Sequence, residues 1–279
     1  MKLQIDCIPC LIKQSVQAIK KTGGGMEELK EILRLILEFD ENTTSAGTKV
    51  HRALKEATGV QNIYAEEKKR DNNAAMKMLP RIREEMEGSE DRFLFATKAA
   101  IAGNVIDYGA LGIKNLIGEV EGILHEELAI DDSKRFKEEL KKAKRVIYLA
   151  DNAGEIVFDQ LLIDEIQTLG PKVTVAVRGE PILNDATMED AKMVGLRADK
   201  IITTGTDHIG IDPTECSEDF IKEFEGADLV ISKGQGNYET LQDFNIKKKV
   251  VYILRVKCEV VAENLKTKKE ANIVKIVEA

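Results

Sequence analysis

The chain has few residues with which to crosslink itself. Four cysteines among 279 residues, unevenly spaced, exclude a disulfide scaffold. Histidine is scarcer still: His51, His125 and His208 are scattered and share no metal-ligand spacing. No apolar stretch approaches the ~20 residues of a membrane span, and the start lacks the basic-then-apolar pattern of a signal peptide. We read the chain as cytoplasmic, with no membrane partner. Positive charge is also short: 41 Lys and Arg against 49 Asp and Glu leave a net charge of −8. That excludes a dedicated nucleic-acid binder, which needs a basic surface to neutralise phosphates. The basic runs Lys141, Lys142, Lys144, Arg145 and Lys247, Lys248, Lys249 precede predicted strands and read as solvated approaches. Tryptophan is absent, proline occurs five times, and no fixed-period repeat or low-complexity tract is found. The remaining balance, 43% hydrophobic and 32% charged, is that of a globular protein able to bury one large domain or two unequal ones.

The pattern changes once along the chain. Residues 1–142 read almost entirely as helix: a run from Cys10 to Lys21, then Met26, Leu29, Ile32, Leu33, Ile36 and Leu37 at intervals of three and four, with Gly23, Gly24 and Gly25 between them. Further helical windows cover 65–86, 93–101, 113–127 and 133–142, which suggests a bundle. Residues 143–279 alternate strand and helix. Strands are expected at 145–150, 172–177, 200–203, 228–232 and 249–256, with helices near 155–169, 187–194, 213–224 and 238–244. The fold class is therefore α/β, a Rossmann-like, mainly parallel sheet with helices on both faces, preceded by an N-terminal helical bundle. The junction at 133–144 has no Pro/Gly-rich linker, so the two regions are expected to pack as one unit.

In open parallel sheets, ligands bind beyond the carboxyl ends of the strands. After the first strand come Asp151, Asn152, Ala153, Gly154 and Glu155: a carboxylate and an amide offer hard oxygen donors, and the following helix offers free N–H groups to an anion. A divalent metal beside a phosphate fits both, although Asp and Asn are also ordinary N-cap residues. The second strand leads to Arg178 and on to Asn184, Asp185 and Thr187, where Asp185 is either a ligand or a cap for the next helix. The third leads to Thr204, Gly205, Thr206, Asp207 and His208. The fourth leads to Lys233, Gly234, Gln235, Gly236 and Asn237, a possible phosphate loop or a plain turn, without the Lys-Ser/Thr of a Walker A sequence or the last glycine of a dinucleotide fingerprint. The last ends near Arg255 and Lys257, a cation between apolar neighbours that calls for an anionic partner. Cys7 and Cys10 form a CxxC with Pro9 between them at a helix start; packing, redox and half of a zinc site are all open to it.

Taken in order, CxxC, DNAGE, RGxPILNDAT, KGQGNYE and LRVK resemble the damage-control phosphatase family, whose founding domain was named acidic-residue-methyltransferase-like. The resemblance runs from Cys7 to Lys257. It extends to Asn62, Ile63, Tyr64, Glu67, Lys68 and Asn72, and to Gly103, Asn104 and Asp107. It implies a metal-dependent phosphomonoester hydrolase acting on a small phosphorylated metabolite, a sugar phosphate or a damaged cofactor-related phosphate. It further implies metal ligation by Asp151, Asn152 and Asp185, with Glu155 bordering the metal and sharing the catalytic set with both aspartates. Substrate or phosphate would meet Asn104, Asp107, Lys233, Gln235, Gly236, Asn237 and Lys257.

Oxygen donors favour Mg²⁺ or Mn²⁺, with Co²⁺ or Ni²⁺ as further candidates. The eukaryotic methyltransferase-like members carry an acid where this chain has Gln235, which places it nearer the CxxC-bearing microbial branch. No glycine-rich motif supports a methyltransferase. The alternative reading is a non-catalytic nucleotide- or metal-binding protein with a redox or zinc CxxC. A nicotinamide-dependent oxidoreductase is disfavoured, because the first strand ends in Asp-Asn rather than a glycine fingerprint.

Overall fold

The structure, a computed structural model, describes residues 1–39, 42–104 and 113–278, with 113–116 described in backbone only. The elements run α1 (Cys7–Thr22), α2 (Met26–Leu37), α3 (Thr43–Thr58), α4 (Ala65–Glu87), α5 (Arg92–Ala102), α6 (Ile113–His125), β1 (Ile130–Asp131) and α7 (Ser133–Lys142). They continue with β2 (Arg145–Leu149), α8 (Glu155–Thr168), β3 (Lys172–Val177), α9 (Met188–Val194), β4 (Lys200–Thr203) and α10 (Glu218–Gly226). The last are β5 (Leu229–Lys233), α11 (Gly234–Leu241), β6 (Lys249–Arg255), α12 (Glu259–Leu265) and β7 (Asn272–Val277). The described strands form one sheet in the order β1-β7-β6-β5-β2-β3-β4. From β6 to β4 all neighbours are parallel; β7 returns antiparallel to β6, and β1 lies parallel to β7. The mainly parallel α/β expectation holds.

Strands buried on both faces need two layers of cover, and the alternation of side chains shows where each layer lies. Val146 and Tyr148 of β2 point into a cluster shared with α4, α5, α7 and α8, while Ile147 and Leu149 point into a second cluster with α10, α11 and α12. Residues from both regions of the chain, from Ala75 to Ile276, share the first cluster. Helices α1 to α3 close a smaller core of their own from Leu11, Ala18, Ile19, Ile32, Ile36, Ala46, Val50 and Leu54. Among the described residues no helix is long and apolar enough to cross a membrane.

Two expected helices start at other residues than their patterns suggest. Helix α10 starts at Glu218 rather than 213, because Ser217 accepts a hydrogen bond from the Phe220 N–H at 3.3 Å and caps it. Helix α11 starts at Gly234 rather than 238, so the expected glycine-rich turn is the first turn of a helix.

Candidate active site

The chain runs outward from β2 to β3 to β4, then crosses back to place β5 on the other side of β2. The strand order therefore reverses between β2 and β5, which is where an open α/β sheet leaves a crevice at its carboxyl edge. Asp151 follows β2 there and Gly234 follows β5. Gly234 has φ 76°, and a methyl group at its Cα would overlap the Asp151 carboxylate. Only glycine gives both the left-handed backbone and the room.

The turns after β2 and β3 lie together. Asn152 and Asp185 form an isolated antiparallel bridge, the Ala153 N–H donates to the Asn184 carbonyl at 2.8 Å, and the Ala186 N–H donates to the Asp151 carbonyl at 2.8 Å. Neither acid caps a helix. Gly154 is the N-cap of α8, with no side-chain hydrogen bond. Helix α9 is capped by Thr187, which shares a capping box with Asp190. The N-cap reading of both acids is thereby removed.

Asp151, 7% exposed, accepts from the Asn152 amide at 2.7 Å. Among the described residues no cation stands within ion-pairing distance of it. Burial raises its pKa well above the usual carboxylate range, Glu155 and Asp185 push the same way, and Lys257 and Arg178 oppose them. Burial also raises Asp185, against Arg178 at 2.6 Å and the more distant charges of Lys68 and Lys257. Asp151 and Asp185 are thus buried acids whose charges repel, and among the described residues only Asp185 of the two makes an ion pair. Two carboxylates and the Asn152 amide, all oxygen donors, fit a hard divalent cation that completes its shell with water and phosphate.

Beside them lies a buried ionic network. Lys233, 0% exposed, donates to Glu155 and Asp159 at 2.5 Å each and to the Ala100 carbonyl at 2.9 Å. Tyr148 donates to the same Asp159 oxygen at 2.7 Å. Burial pushes the Glu155 carboxyl upward, but Lys233 together with the hydrogen bonds from Asn104 and Asn152 holds the group below its ordinary value. Asp159 goes the other way, raised by burial to about 6. Glu155 also accepts from Asn104 at 2.9 Å and from Asn152 at 3.1 Å, so it orients the amide beside Asp151.

The structure thus brings Asp151, Asn152, Asp185, Glu155 and Asn104 together, and it corrects two expectations. Lys233 does not face a phosphate, because all three of its ammonium hydrogens are spent inside the protein. Asn237 is equally enclosed: its oxygen accepts from Arg178 at 2.8 Å and its amide donates to the carbonyls of Ala150 and Lys233. Gln235 braces the turn after β6, accepting from the Lys257 N–H at 2.9 Å and donating to Glu239 and to the Cys258 sulfur. Lys257 is half-buried within electrostatic reach of both acids. Gly236 packs beside Ile209, and Asp107 lies outside the described residues.

Asn72 and Lys68, which the sequence offered only as part of the family resemblance, support the turns that carry the acids. Asn72 of α4 accepts from the Gly154 N–H at 2.7 Å and donates to Asp190 at 2.9 Å, while Lys68 pairs with Asp190 at 2.6 Å. Asp159 had a legible signal, an acid one turn after Glu155 on an otherwise apolar helix face. The CxxC lies nearer the strand ends than its position in sequence suggests: Cys7 is buried in the cluster that packs against Cys258, the residue after Lys257. Among the described residues, no three His, Cys, Asp or Glu side chains are grouped to hold a metal ion.

The fold is that of an α/β protein with an acid-lined crevice at the switch point of a mainly parallel sheet. Residues 3–273 match the model of the damage-control phosphatase ARMT1-like domain, and the chain belongs to that family. It is 41% identical to a damage-control phosphatase of Archaeoglobus fulgidus, over 100% of both chains. It is 35% identical to damage-control phosphatase PH1575 of Pyrococcus horikoshii, over 97% of this chain and 96% of that one. The crystal structure of that DUF89 family protein superimposes with a TM-score of 0.88 at 34% identity, covering 98% of each chain. These relatives support a phosphatase role.

Proposed function

We propose that this protein is a metal-dependent phosphomonoester hydrolase for small phosphorylated metabolites, sugar phosphates or damaged cofactor-related phosphates. The observation that carries the reading is the buried Asp151 and Asp185 pair at the switch point, with no cation in ion-pairing range of Asp151 among the described residues. Asp151, Asp185 and the Asn152 amide would hold a divalent cation, Mg²⁺ or Mn²⁺ by donor type, with Co²⁺ and Ni²⁺ as further candidates. When bound, such a cation supplies Lewis-acid neutralisation of charge on the phosphoryl group.

The protein's own residues do the rest. Glu155, kept ionised by Lys233, fixes the Asn152 amide and so the direction in which its oxygen faces. Lys257 adds positive charge on the same side as both acids, where a phosphoryl dianion gathers it. The test is a phosphatase screen of chelator-stripped protein against p-nitrophenyl phosphate and a panel of sugar and cofactor-derived phosphates, with each cation restored in turn. Turnover that returns only with a cation supports the reading. Full turnover in protein shown to be metal-free overturns it.

A further inference from the structure

Arg178 is the residue that follows β3, and its side chain is 2% exposed. Its guanidinium makes three diverging hydrogen bonds: Nε to Asp185 Oδ2 at 2.6 Å, Nη1 to the Gly210 carbonyl at 2.7 Å, and Nη2 to Asn237 Oδ1 at 2.8 Å. Each partner belongs to a different segment at the carboxyl edge of the sheet. Asp185 is in the turn after β3, Gly210 in the loop after β4, and Asn237 in the first turn of α11. The Gly210 carbonyl reaches the guanidinium from a residue with φ 76° that is packed against Thr240 and the Gly236 carbonyl, a place no side chain fits. Asn237 carries the connection onward, donating at 3.2 Å to the carbonyl of Ala150, the residue before Asp151. A continuous series of planar groups, carboxylate, guanidinium, amide and peptide, therefore spans from one buried acid to the backbone of the other.

We infer that Arg178 is a positioning residue whose guanidinium fixes the separation of the Asp151 and Asp185 carboxylates, and with it the affinity of the crevice for a divalent cation. The inference rests on the proposal that these two acids hold that cation. Arg178 is buried and its guanidinium is enclosed by its three partners, so it acts through Asp185 and Asn237. Charge alone does not explain it. A lysine would balance Asp185 as a point charge, but it has no rigid fork to bond three segments lying in three directions. Nor does stability alone, since a buried ion pair returns little net stabilisation over an apolar replacement, whereas its geometry fixes its neighbours.

The test is calorimetric titration of Mn²⁺ into metal-stripped protein without substrate, read beside the Mn²⁺ electron paramagnetic resonance spectrum. Wild type, Arg178→Lys and Asp151→Ala are compared, with circular dichroism confirming the fold. Arg178→Lys should bind Mn²⁺ about 10–100-fold more weakly, the range usual for groups that orient metal ligands, and should lose kcat on p-nitrophenyl phosphate more than it raises KM. Wild-type Mn²⁺ affinity in folded Arg178→Lys, with affinity lost in Asp151→Ala, overturns the inference and leaves the metal site standing. Wild-type affinity in Asp151→Ala overturns the metal site and the inference together. Should Arg178→Lys fail to fold, Asn237→Ser breaks the same series without removing a charge. A several-fold weaker Mn²⁺ affinity supports the inference there, and an unchanged one overturns it.

Discussion

Gly234 and Asp151 occupy each other's space: the Asp151 carboxylate lies where a side chain on residue 234 would begin. Gly234→Ala has to move either the acid or the start of α11, and it forces alanine into the left-handed region. We expect a stability loss of about 1–3 kcal/mol, the usual cost of such backbone strain, together with a fall in turnover. Urea unfolding and p-nitrophenyl phosphate hydrolysis on one preparation check both. Wild-type values for both would mean that Asp151 is not confined by this contact.

Asp151→Asn and Asp185→Ala should each lower metal-dependent turnover by more than about a hundredfold, beyond the range for groups that only orient ligands. Asp151→Asn should also leave the metal-free protein at least as stable as wild type. Burial already disfavours the ionised acid, and the amide removes a charge that Glu155 and Asp185 repel. Thermal melts of stripped protein decide this. A marked loss of stability in Asp151→Asn would contradict the unpaired-acid description.

Asp159 has a pH signature. Its folded pKa of about 6 lies above the ordinary value near 4, so between those values the folded state holds more protons than the unfolded chain. The associated stability is fully present below about pH 4 and is lost as pH rises to about 6. Asp159→Asn should remove that fall. Denaturant unfolding at intervals from pH 4 to 7 measures it, and an unchanged slope would place the titration elsewhere.

A Cys7→Ser, Cys10→Ser double variant should keep its metal-dependent turnover. Cys7 packs in an apolar cluster, so a hydroxyl there should cost about 1–3 kcal/mol of stability. Metal content and turnover are to be measured on the same folded sample. Stoichiometric loss of the activating metal with the fold intact would move the site toward α1.

The sequence exposed what depends on local pattern and hid what depends on distant partners. The strands β3 and β4 fall on the residues their apolar runs predict, β2 and β6 end one residue early, and β5 is displaced by one residue at both ends. Helix α3 escaped detection because it buries polar residues among its apolar Ala46, Val50 and Leu54: Thr48 accepts from the Ile209 N–H, and Lys55 pairs with Asp207. Strand β7 escaped because the turns before it are made by Lys266 and Glu270 at positive φ rather than by glycine or proline. At the site, Asp151 and Asn152 stood out as polar residues directly after an apolar strand, and Asp185 as an acid in the turn after the next one. Lys233 looked the same in sequence, yet its position as the last residue of β5 turns it inward to Glu155 and Asp159. Only the packing of α8 could distinguish the two.

The bond from the Gly154 N–H to Asn72 closes a span of 82 residues, and those joining α4 to Thr187 and Asp190 close spans of 119 and 118. Contacts this distant in sequence bear the entropy of closing long loops before they return any energy. The β2–β5 pairing beside the crevice, Val146 with Leu229, closes a span of comparable length, so the sheet and the turn at 151–155 are both held by contacts distant in sequence. Because α4 supplies the acceptor for the Gly154 N–H and the partners of Thr187 and Asp190, conditions that loosen α4 should also release the two turns that carry the acids.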